Sequence, residues 1–190
     1  MSEYKSNFEM KLAYHTAPSL YGIKASSLMK IKKDEYNEYL KGKTYAELDL
    51  SGIKIRIVYE DESSLLVLVY NKNLLEKHIN KYEVRKYLDS YGYENCKSTS
   101  DCLEKLASRI KNESDFPHEI GIFLGYPIED VDGFIKNKGK KFKMCGFWKV
   151  YSDEEKAEKT FRTYRNCRAY LCNKISNGAD ICEALGIMWQ

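Results

Sequence analysis

Apolar and polar residues alternate along one segment of the chain in the manner of a half-buried β-strand. Every second position from 53 to 59 is isoleucine or tyrosine, and only Val58 breaks the alternation. The segment 65–70, LLVLVY, follows a short polar turn and is apolar on both faces. A strand of that composition belongs in the middle of a sheet, covered on both sides. The pattern therefore predicts a β-hairpin over 53–70.

Helical periodicity and capping residues predict most of the remaining chain as helix. A capping box formed by Ser6 and Glu9 opens the first predicted helix, which ends before Pro18. The other predicted helices occupy 34–41, a few residues from 44, 72–91 with a break near 80, 101–112, 115–125, 127–139, 152–176 and 179–187. The apolar run that ends at Ile31 fits either a strand or a helical turn, because it is too short for periodicity to distinguish them.

A second alternating segment predicts one further strand, over 142–151. Apolar side chains recur at every second position there, and Gly146 marks a bulge or the close approach of another segment. The chain has no internal repeat, low-complexity tract or linker rich in proline, glycine and serine. These features predict a single α+β domain over 1–190, predominantly helical, with a small sheet of about three or four strands.

Composition and charge narrow the classes of protein that the chain can belong to. It has 190 residues, of which 43% are apolar and 31% charged, as is typical of a folded domain with a substantial core. The net charge of +3 is nearly balanced and argues against an obligate nucleic-acid-binding protein, which would carry a strong basic excess. Composition and net charge do not indicate an oligomeric state.

Hydrophobic runs and cysteine spacing bear on the cellular compartment. No stretch approaches the ~18 consecutive apolar residues of a membrane span, and the first residues contain no apolar signal region. The six cysteines form no C-x-x-C pair and no zinc-ribbon spacing. We therefore expect a cytosolic protein with free thiols, no membrane partner and no metal site.

His118 and Glu119 form the first group of candidate functional residues, at the predicted start of a helix. The free N–H groups of a helix N-terminus can hold an anion, and a histidine beside them can act as acid, base or ligand. The alternative is that His118 caps or packs locally, since the pair lacks the second histidine of the metal-binding H-E-x-x-H motif. The local role is favoured.

Glycines in predicted helices form the second group. Gly121, Gly125 and Gly133 cost helix stability, so something should compensate for them. Either another segment packs against the bare backbone, which is the commoner case, or a flat ligand does. Their spacing is not that of a dinucleotide-binding motif and does not follow a strand.

Cys145 and Lys149, in the sequence CGFWK, form the third group. Cys145 could act as a nucleophile if a base such as His118 lowered the pKa of its thiol, although a buried inert thiol is the commoner state. Trp148 is expected in the core, and Lys149 on the solvated side of the strand. Basic residues interleaved with aromatic ones here also fit a single-stranded nucleic-acid surface, which the balanced charge makes a minority interpretation.

Arg168 and Cys167 form the fourth group, on the long helix predicted over 152–176. Arg168 falls at a position of the apolar stripe where an apolar residue belongs, and Cys167 borders that stripe. An arginine there needs a carboxylate, for which Glu119, Glu129 and Asp130 are the candidates, or an anionic ligand. The internal salt bridge is the favoured alternative.

Four segments carry a resemblance to a known family: 17–28, APSLYGIKASSL; 116–135, FPHEIGIFLGYPIEDVDGFI; 145–151, CGFWKVY; and 161–170, FRTYRNCRAY. The chain resembles an uncharacterised family of anaerobic bacteria, known only as a domain of unknown function, over about residues 17–170. The resemblance implies no established activity, cofactor or catalytic residue, and points to redox or iron physiology. The matching positions are Pro18, Gly22, Lys24, His118, Glu119, Gly121, Gly125, Tyr126, Pro127, Asp130, Gly133, Gly146, Trp148, Lys149, Tyr151 and Cys167.

No catalytic signature is complete, so catalytic residues and cofactors stay unknown and the sequence leaves open whether the protein is an enzyme. The leading hypothesis is a protein that binds a small anionic or planar ligand. The ligand would lie between the helix of His118, the strand of Cys145 and the helix of Arg168. The alternatives are an enzyme that uses Cys145 or Cys167 with His118, and a protein-interaction module with an exposed tyrosine-rich patch and no pocket.

Overall fold

The structure, a computed structural model, describes residues 3–40, 42–113 and 115–187. Its helices are α1 (Glu3–Leu20), α2 (Lys33–Leu40), α3 (Lys43–Leu50), α4 (Lys72–Ile79), α5 (Tyr82–Leu88), α6 (Thr99–Asn112), α7 (Ile120–Phe123), α8 (Ile128–Lys136), α9 (Glu154–Ser176) and α10 (Ile181–Leu185). Its strands are β1 (Ser26–Lys32), β2 (Ile53–Glu60), β3 (Ser64–Asn71), β4 (Met144–Cys145) and β5 (Lys149–Val150). The predicted α+β class with a predominance of helix is confirmed.

The main sheet is antiparallel and has the order β1-β3-β2. The predicted hairpin over 53–70 is confirmed, and its apolar strand β3 lies in the centre as expected. The segment that the sequence left open between strand and helix is the edge strand β1. The register between β2 and β3 shifts between Ile57 and Tyr59. This bulge buries Val58 and leaves Ile57 and Tyr59 exposed, which explains the break in the alternation.

Helices cover both faces of this sheet. One core lies between the sheet and α1, α2, α3, α9 and α10, and contains Leu12, Val67 and Leu171. The other core lies between the opposite face and α4 to α8, and contains Leu68 and Leu103. Because β3 supplies side chains to both cores, it is apolar on both faces.

A separate small hairpin replaces the single strand predicted over 142–151. β4 and β5 are two residues long and pair antiparallel, with the turn at 146–148 between them. Gly146 makes this turn possible, because a Cβ there would lie 2.2 Å from Cε2 of Phe161. The hairpin packs on the first half of α9 through Val150 and Phe161. The segment contains strand residues as predicted, but the close contact at Gly146 divides them into two strands, and Phe142 on the predicted apolar side is exposed.

The predicted boundaries of two helices are wrong. α1 begins at Glu3, so Ser6 lies inside the helix instead of capping it, and α1 continues through Pro18 to Leu20. α7 begins at Ile120 and not near Asp115, with Glu119 at its N-cap position. In both cases packing overrides the local signal: Ala17 and Leu20 are buried in one core, and Glu119 and Ile120 are buried beside the other.

Candidate functional site

A cleft of about 270 Å³ lies between α7, α8 and the small hairpin. We call it the His118 cleft. The residues that line it are His118, Ile120, Gly121, Leu124, Tyr126, Asp130, Val131, Phe134, Cys145, Gly146, Trp148 and Lys149. Four of the eight candidate residues chosen from the sequence are therefore neighbours here: His118, Gly121, Cys145 and Lys149.

Gly121 lets α7 and α8 approach each other behind the cleft. A Cβ on Gly121 would lie 2.7 Å from Cγ2 of Val131, so any other residue would push the helices apart. Gly133 lets Tyr151 approach the other side of α8, because a Cβ on Gly133 would lie 2.6 Å from Cβ of Tyr151. Gly125 has a φ of +75°, which ends α7 in the left-handed conformation. Close packing and turn geometry therefore account for these three glycines.

Asp130 fixes the small hairpin against α8. Its carboxylate is buried, and Oδ2 accepts a hydrogen bond of 2.7 Å from Nε1 of Trp148. Oδ1 accepts hydrogen bonds of 2.8 Å from the backbone N–H groups of Tyr151 and Ser152 and from the hydroxyl of Ser152. Because four donors occupy this carboxylate, Asp130 holds the wall of the cleft in place and is not free to bind a ligand.

Aromatic rings form the walls of the His118 cleft. Trp148 stacks on Tyr126, with ring centroids 4.9 Å apart, and meets Phe161 edge to face at 4.5 Å. On the opposite wall the ring of His118 meets Phe134 edge to face at 4.9 Å. His118 is exposed and packs locally, while its position at the rim leaves it accessible to a bound molecule. Trp148 is half-buried, so it contributes to the cleft as well as to packing.

Lys149 reaches the His118 cleft because it faces Cys145 across the two-stranded hairpin. Its Nζ donates a hydrogen bond of 2.7 Å to the carbonyl oxygen of Gly139 and lies 5.0 Å from the ring centroid of Phe142. No carboxylate in the described part of the chain lies within salt-bridge distance of this ammonium group. Lys149 is half-buried, so it is not the fully solvated charge that the sequence suggested.

Glu119 is adjacent to His118 in sequence but points away from the cleft. It is buried, and its Oε1 lies 2.8 Å from Nε of Arg109 and accepts a hydrogen bond of 3.1 Å from the hydroxyl of Tyr93. Burial, followed by the charge of Glu119, raises the pKa of Tyr93 well above its usual range. Glu119 thus joins α6 to α7 through an ion pair in which the carboxylate is buried and the arginine is half-buried.

Arg168 and Cys167 do not line the His118 cleft. The guanidinium of Arg168 lies over two rings, 4.3 Å from the centroid of Tyr14 and 5.0 Å from that of Phe147. The favoured internal salt bridge is not found, because none of the three suggested carboxylates pairs with Arg168. Glu119 pairs with Arg109, Asp130 accepts a hydrogen bond from Trp148, and Glu129 is exposed. Cys167 is half-buried, and burial raises the pKa of its thiol.

Tyr126 and Phe134, two aromatic residues that line the cleft, were not among the candidate residues chosen from the sequence. Phe134 has no polar group that would indicate a site, and Tyr126 was noted only as a position that matches the resemblance. Gly125 lies outside this cleft and borders a second pocket, described below.

Within the described ranges, no three side chains of His, Cys, Asp or Glu are close enough to hold a metal ion. No helix in those ranges is long and apolar enough to cross a bilayer.

Comparison with known proteins gives a family but no characterised relative. No curated protein and no solved structure matches the chain. The family described as "Protein of unknown function (DUF3793)" matches residues 12–185, which is most of the chain. The resemblance to an uncharacterised family is confirmed, whereas an origin in anaerobic bacteria stays a prediction. The chain therefore belongs to the DUF3793 family.

Proposed function

We propose that the protein binds a small planar ligand with an anionic group in the His118 cleft. The observation that carries this proposal is an apolar cleft with aromatic walls and one lysine, Lys149, that has no carboxylate partner among the described residues. Ligand sites are typically concave, mostly apolar and equipped with a few polar groups that fix orientation. The His118 cleft has this character.

Lys149 supplies the contact to the anionic group. An ammonium group has three donors, and the carbonyl of Gly139 takes one of them. The two remaining donors and the unpaired charge favour a carboxylate or a similar anion. The rings of Phe134 and Phe142 lie 5.6 Å and 5.0 Å from Nζ and limit its movement, so the charge is held at the edge of the cleft.

The size of the cleft limits the ligand. A volume of about 270 Å³ lies just below the range of roughly 300–1,000 Å³ typical of ligand pockets. It fits a molecule of one or two rings better than a whole dinucleotide or a haem. The ring would lie between the wall of Trp148 and that of Phe134, with His118 at the open rim as a further donor or acceptor.

A substitution of Lys149 tests this proposal. We expect the wild-type protein to bind indole-3-carboxylate and Lys149→Met to bind it about tenfold more weakly or worse, because a charge-assisted hydrogen bond is lost. Binding of neutral indole should change little. Isothermal titration calorimetry measures both. Lys140→Met, at an exposed lysine before the hairpin that does not line the cleft, is the matched control.

Failure to bind any one- or two-ring carboxylate, or equal binding by the wild type and Lys149→Met, would refute the proposal. The native ligand can be sought directly by purifying the protein without oxygen and analysing any released molecule by absorption and mass spectrometry. The link to redox or iron physiology implied by the resemblance makes small redox-active ring compounds the first candidates for that analysis.

A second candidate function, thiol chemistry, rests on the presence of Cys145 and His118 in the same cleft. Cys145 is exposed, whereas Cys96, Cys102 and Cys182 are buried. Burial raises the pKa of Cys102 to about 11 and also raises the pKa of Cys167, Cys172 and Cys182. Cys145 is therefore the thiol most available for reaction.

Alkylation rates test this second function. At pH 7.5 we expect iodoacetamide to modify Cys145 before the other five cysteines, with the fast phase absent in Cys145→Ser. Peptide mass mapping of timed samples identifies the modified residue. A nucleophilic role requires Cys145 to react faster than a model thiol and to slow in His118→Gln. A rate equal to that of the model thiol in both proteins would leave only the binding function.

A further inference from the structure

A second pocket, of about 310 Å³, lies on the other side of Tyr126 from the His118 cleft. We call it the Lys24 pocket. Its lining comes from the turn between α1 and β1, from α4 and the residues that follow it, and from Gly125 and α9. The lining residues with side chains that can carry positive charge are Lys24, Lys77, His78 and Lys81.

The lining of this pocket contains several bases and no acid. The remaining lining residues are glycine, alanine, isoleucine, leucine and tyrosine. Lys77 and Lys81 are exposed at the mouth, and neither forms a salt bridge with a described carboxylate. A concave surface with charge of one sign concentrates the field and attracts ions of the opposite sign.

Lys24 lies at the inner wall of the pocket and is only 7% exposed. A tight turn places it there: Gly22 has a φ of +67°, and the backbone N–H groups of Ile23 and Lys24 both donate to the carbonyl of Pro18, at 2.8 Å and 3.0 Å. α1 must continue through Pro18 for this turn to form. In the described part of the chain, no carboxylate forms a salt bridge with its ammonium group.

Two tyrosine rings are the neighbours of this ammonium group. Nζ of Lys24 lies 5.1 Å from the ring centroid of Tyr126 and 5.9 Å from that of Tyr164. Burial, together with the positive charge of Arg168, lowers the pKa of Lys24 to about 8. Ring faces stabilise a buried cation only in part, and a lysine that is almost fully buried usually has an anionic partner.

Arg168 adds positive charge behind the pocket. Its guanidinium contacts Tyr14 and Phe147, and its buried Nε has no hydrogen-bond partner in the part of the chain that the structure describes. His78, by contrast, is neutral near pH 7, since burial lowers the pKa of its ring and Nε2 lies 2.9 Å from the carbonyl oxygen of Ile122. The net charge of the pocket therefore comes from lysines, with Arg168 behind them.

We propose that the Lys24 pocket binds the phosphate group of a small phosphorylated molecule. Lysines act as point charges toward phosphate, and three of them on two separate elements can surround a doubly charged group from different sides. The buried Lys24 would reach the phosphate at the inner end of the pocket, and Lys77 and Lys81 would hold it at the mouth. The pocket is concave and has room for a phosphate and a small remainder, which is unlike the extended basic surface that a nucleic acid requires.

This site is separate from the ligand site proposed for the His118 cleft. The two pockets share no lining residue, and Tyr126 contacts both Lys24 and Trp148. Either proposal can therefore fail while the other stands. Variants of Lys149 report on one pocket, and variants of Lys24 report on the other.

Calorimetric titration with pyrophosphate and with inorganic phosphate tests the proposal. We expect the wild type to bind pyrophosphate more tightly than phosphate, Lys24→Met to weaken binding at least tenfold, and the double variant Lys77→Ala, Lys81→Ala to weaken it several-fold. Raising the salt concentration should lower the affinity of the wild type more than that of the double variant. Lys86→Ala, at an exposed lysine on α5 outside the pocket, is expected to bind like the wild type.

Three results would overturn the proposal: no binding of pyrophosphate to the wild type, equal weakening in Lys24→Met and Lys86→Ala, or tighter binding of citrate than of pyrophosphate. The last result would assign the pocket to a polycarboxylate. Circular dichroism of each variant verifies that it is folded. Lys24→Met removes a buried charge and keeps a side chain of similar length, so loss of binding in a folded protein is the expected outcome.

Discussion

Lys24→Met is expected to raise the free energy of unfolding at pH 7 by roughly 3 kcal/mol. The pKa of this lysine falls from 10.5 to about 8 on folding, mainly because the ammonium group is buried. At about 1.36 kcal/mol per pKa unit, that difference corresponds to roughly 3 kcal/mol by which the folded protein disfavours the charged lysine. Methionine has a similar length and no charge, so it removes the cost while filling the same space.

The advantage of Lys24→Met should depend on pH in a defined way. Below pH 8 the lysine is protonated in both the folded and the unfolded protein, and the wild type carries the full cost of the buried charge. Between about pH 8 and 10.5 the folded protein releases the proton first, so the unfolding free energy of the wild type rises relative to that of the variant. The difference between the two proteins should therefore shrink across this range.

Urea unfolding of the wild type and Lys24→Met at pH 7, 9 and 10.5 measures this difference. Comparing the two proteins at each pH cancels the titration of the tyrosines, which changes both in the same way. Lys86→Met, at an exposed lysine, should change stability by less than about 0.5 kcal/mol. A destabilised Lys24→Met would show that the ammonium group has a favourable partner in the folded protein. A stabilised variant that no longer binds pyrophosphate would mean that stability is sacrificed for function at this position.

Asp130→Ala is expected to lower the free energy of unfolding by roughly 3 kcal/mol and to abolish binding in the His118 cleft. Four hydrogen bonds are lost at once, including the one from Trp148, and their donors are left only partly solvated. The small hairpin and the start of α9 both depend on this carboxylate. Without this carboxylate, the small hairpin is no longer fixed against α8, so the wall of the cleft is lost and the fold is destabilised.

Two matched variants make the result interpretable. Asp130→Asn keeps the oxygen that accepts from Tyr151 and Ser152 but places an amide donor against the indole N–H of Trp148, so an intermediate loss is expected. Glu129→Ala removes the neighbouring exposed carboxylate of α8 and should cost less than about 1 kcal/mol. Urea unfolding and titration with indole-3-carboxylate measure both effects. Equal stability of Asp130→Ala and Glu129→Ala would show that the four hydrogen bonds contribute little.

Much of the fold could be predicted because its signals lie within short stretches of sequence. The hairpin of β2 and β3 follows from alternation, and the position of β3 in the centre follows from its two apolar faces. The apolar stripe predicted on the long helix is another example, since the buried residues of α9 recur at helical spacing: Ala157, Phe161, Tyr164, Leu171 and Ile175. Each of these patterns repeats with the period of the element that it predicts, so no knowledge of distant residues is needed.

The candidate site could be predicted only in part. Residue types pointed to His118, Cys145 and Lys149, which line one cleft, but they did not reveal that Glu119 pairs with Arg109 or that Arg168 lies between two rings. Lys24 was noted only through the resemblance, because a lysine in a turn usually points into water. Such pairings join residues tens of positions apart, and a sequence window contains only one member of each pair.

The amino-acid sequence alone determined the class of the fold, the hairpin of β2 and β3 and the long helix α9, and it named four of the residues that line the His118 cleft. The tertiary structure added the division of 142–151 into two strands, the bulge at Val58 and the continuation of α1 through Pro18. It also showed that bases of α4 and the α1–β1 turn face one pocket, while aromatic rings and Lys149 face another. The physical reason is that periodicity and capping are local properties, whereas burial of a charge depends on which distant side chains surround it.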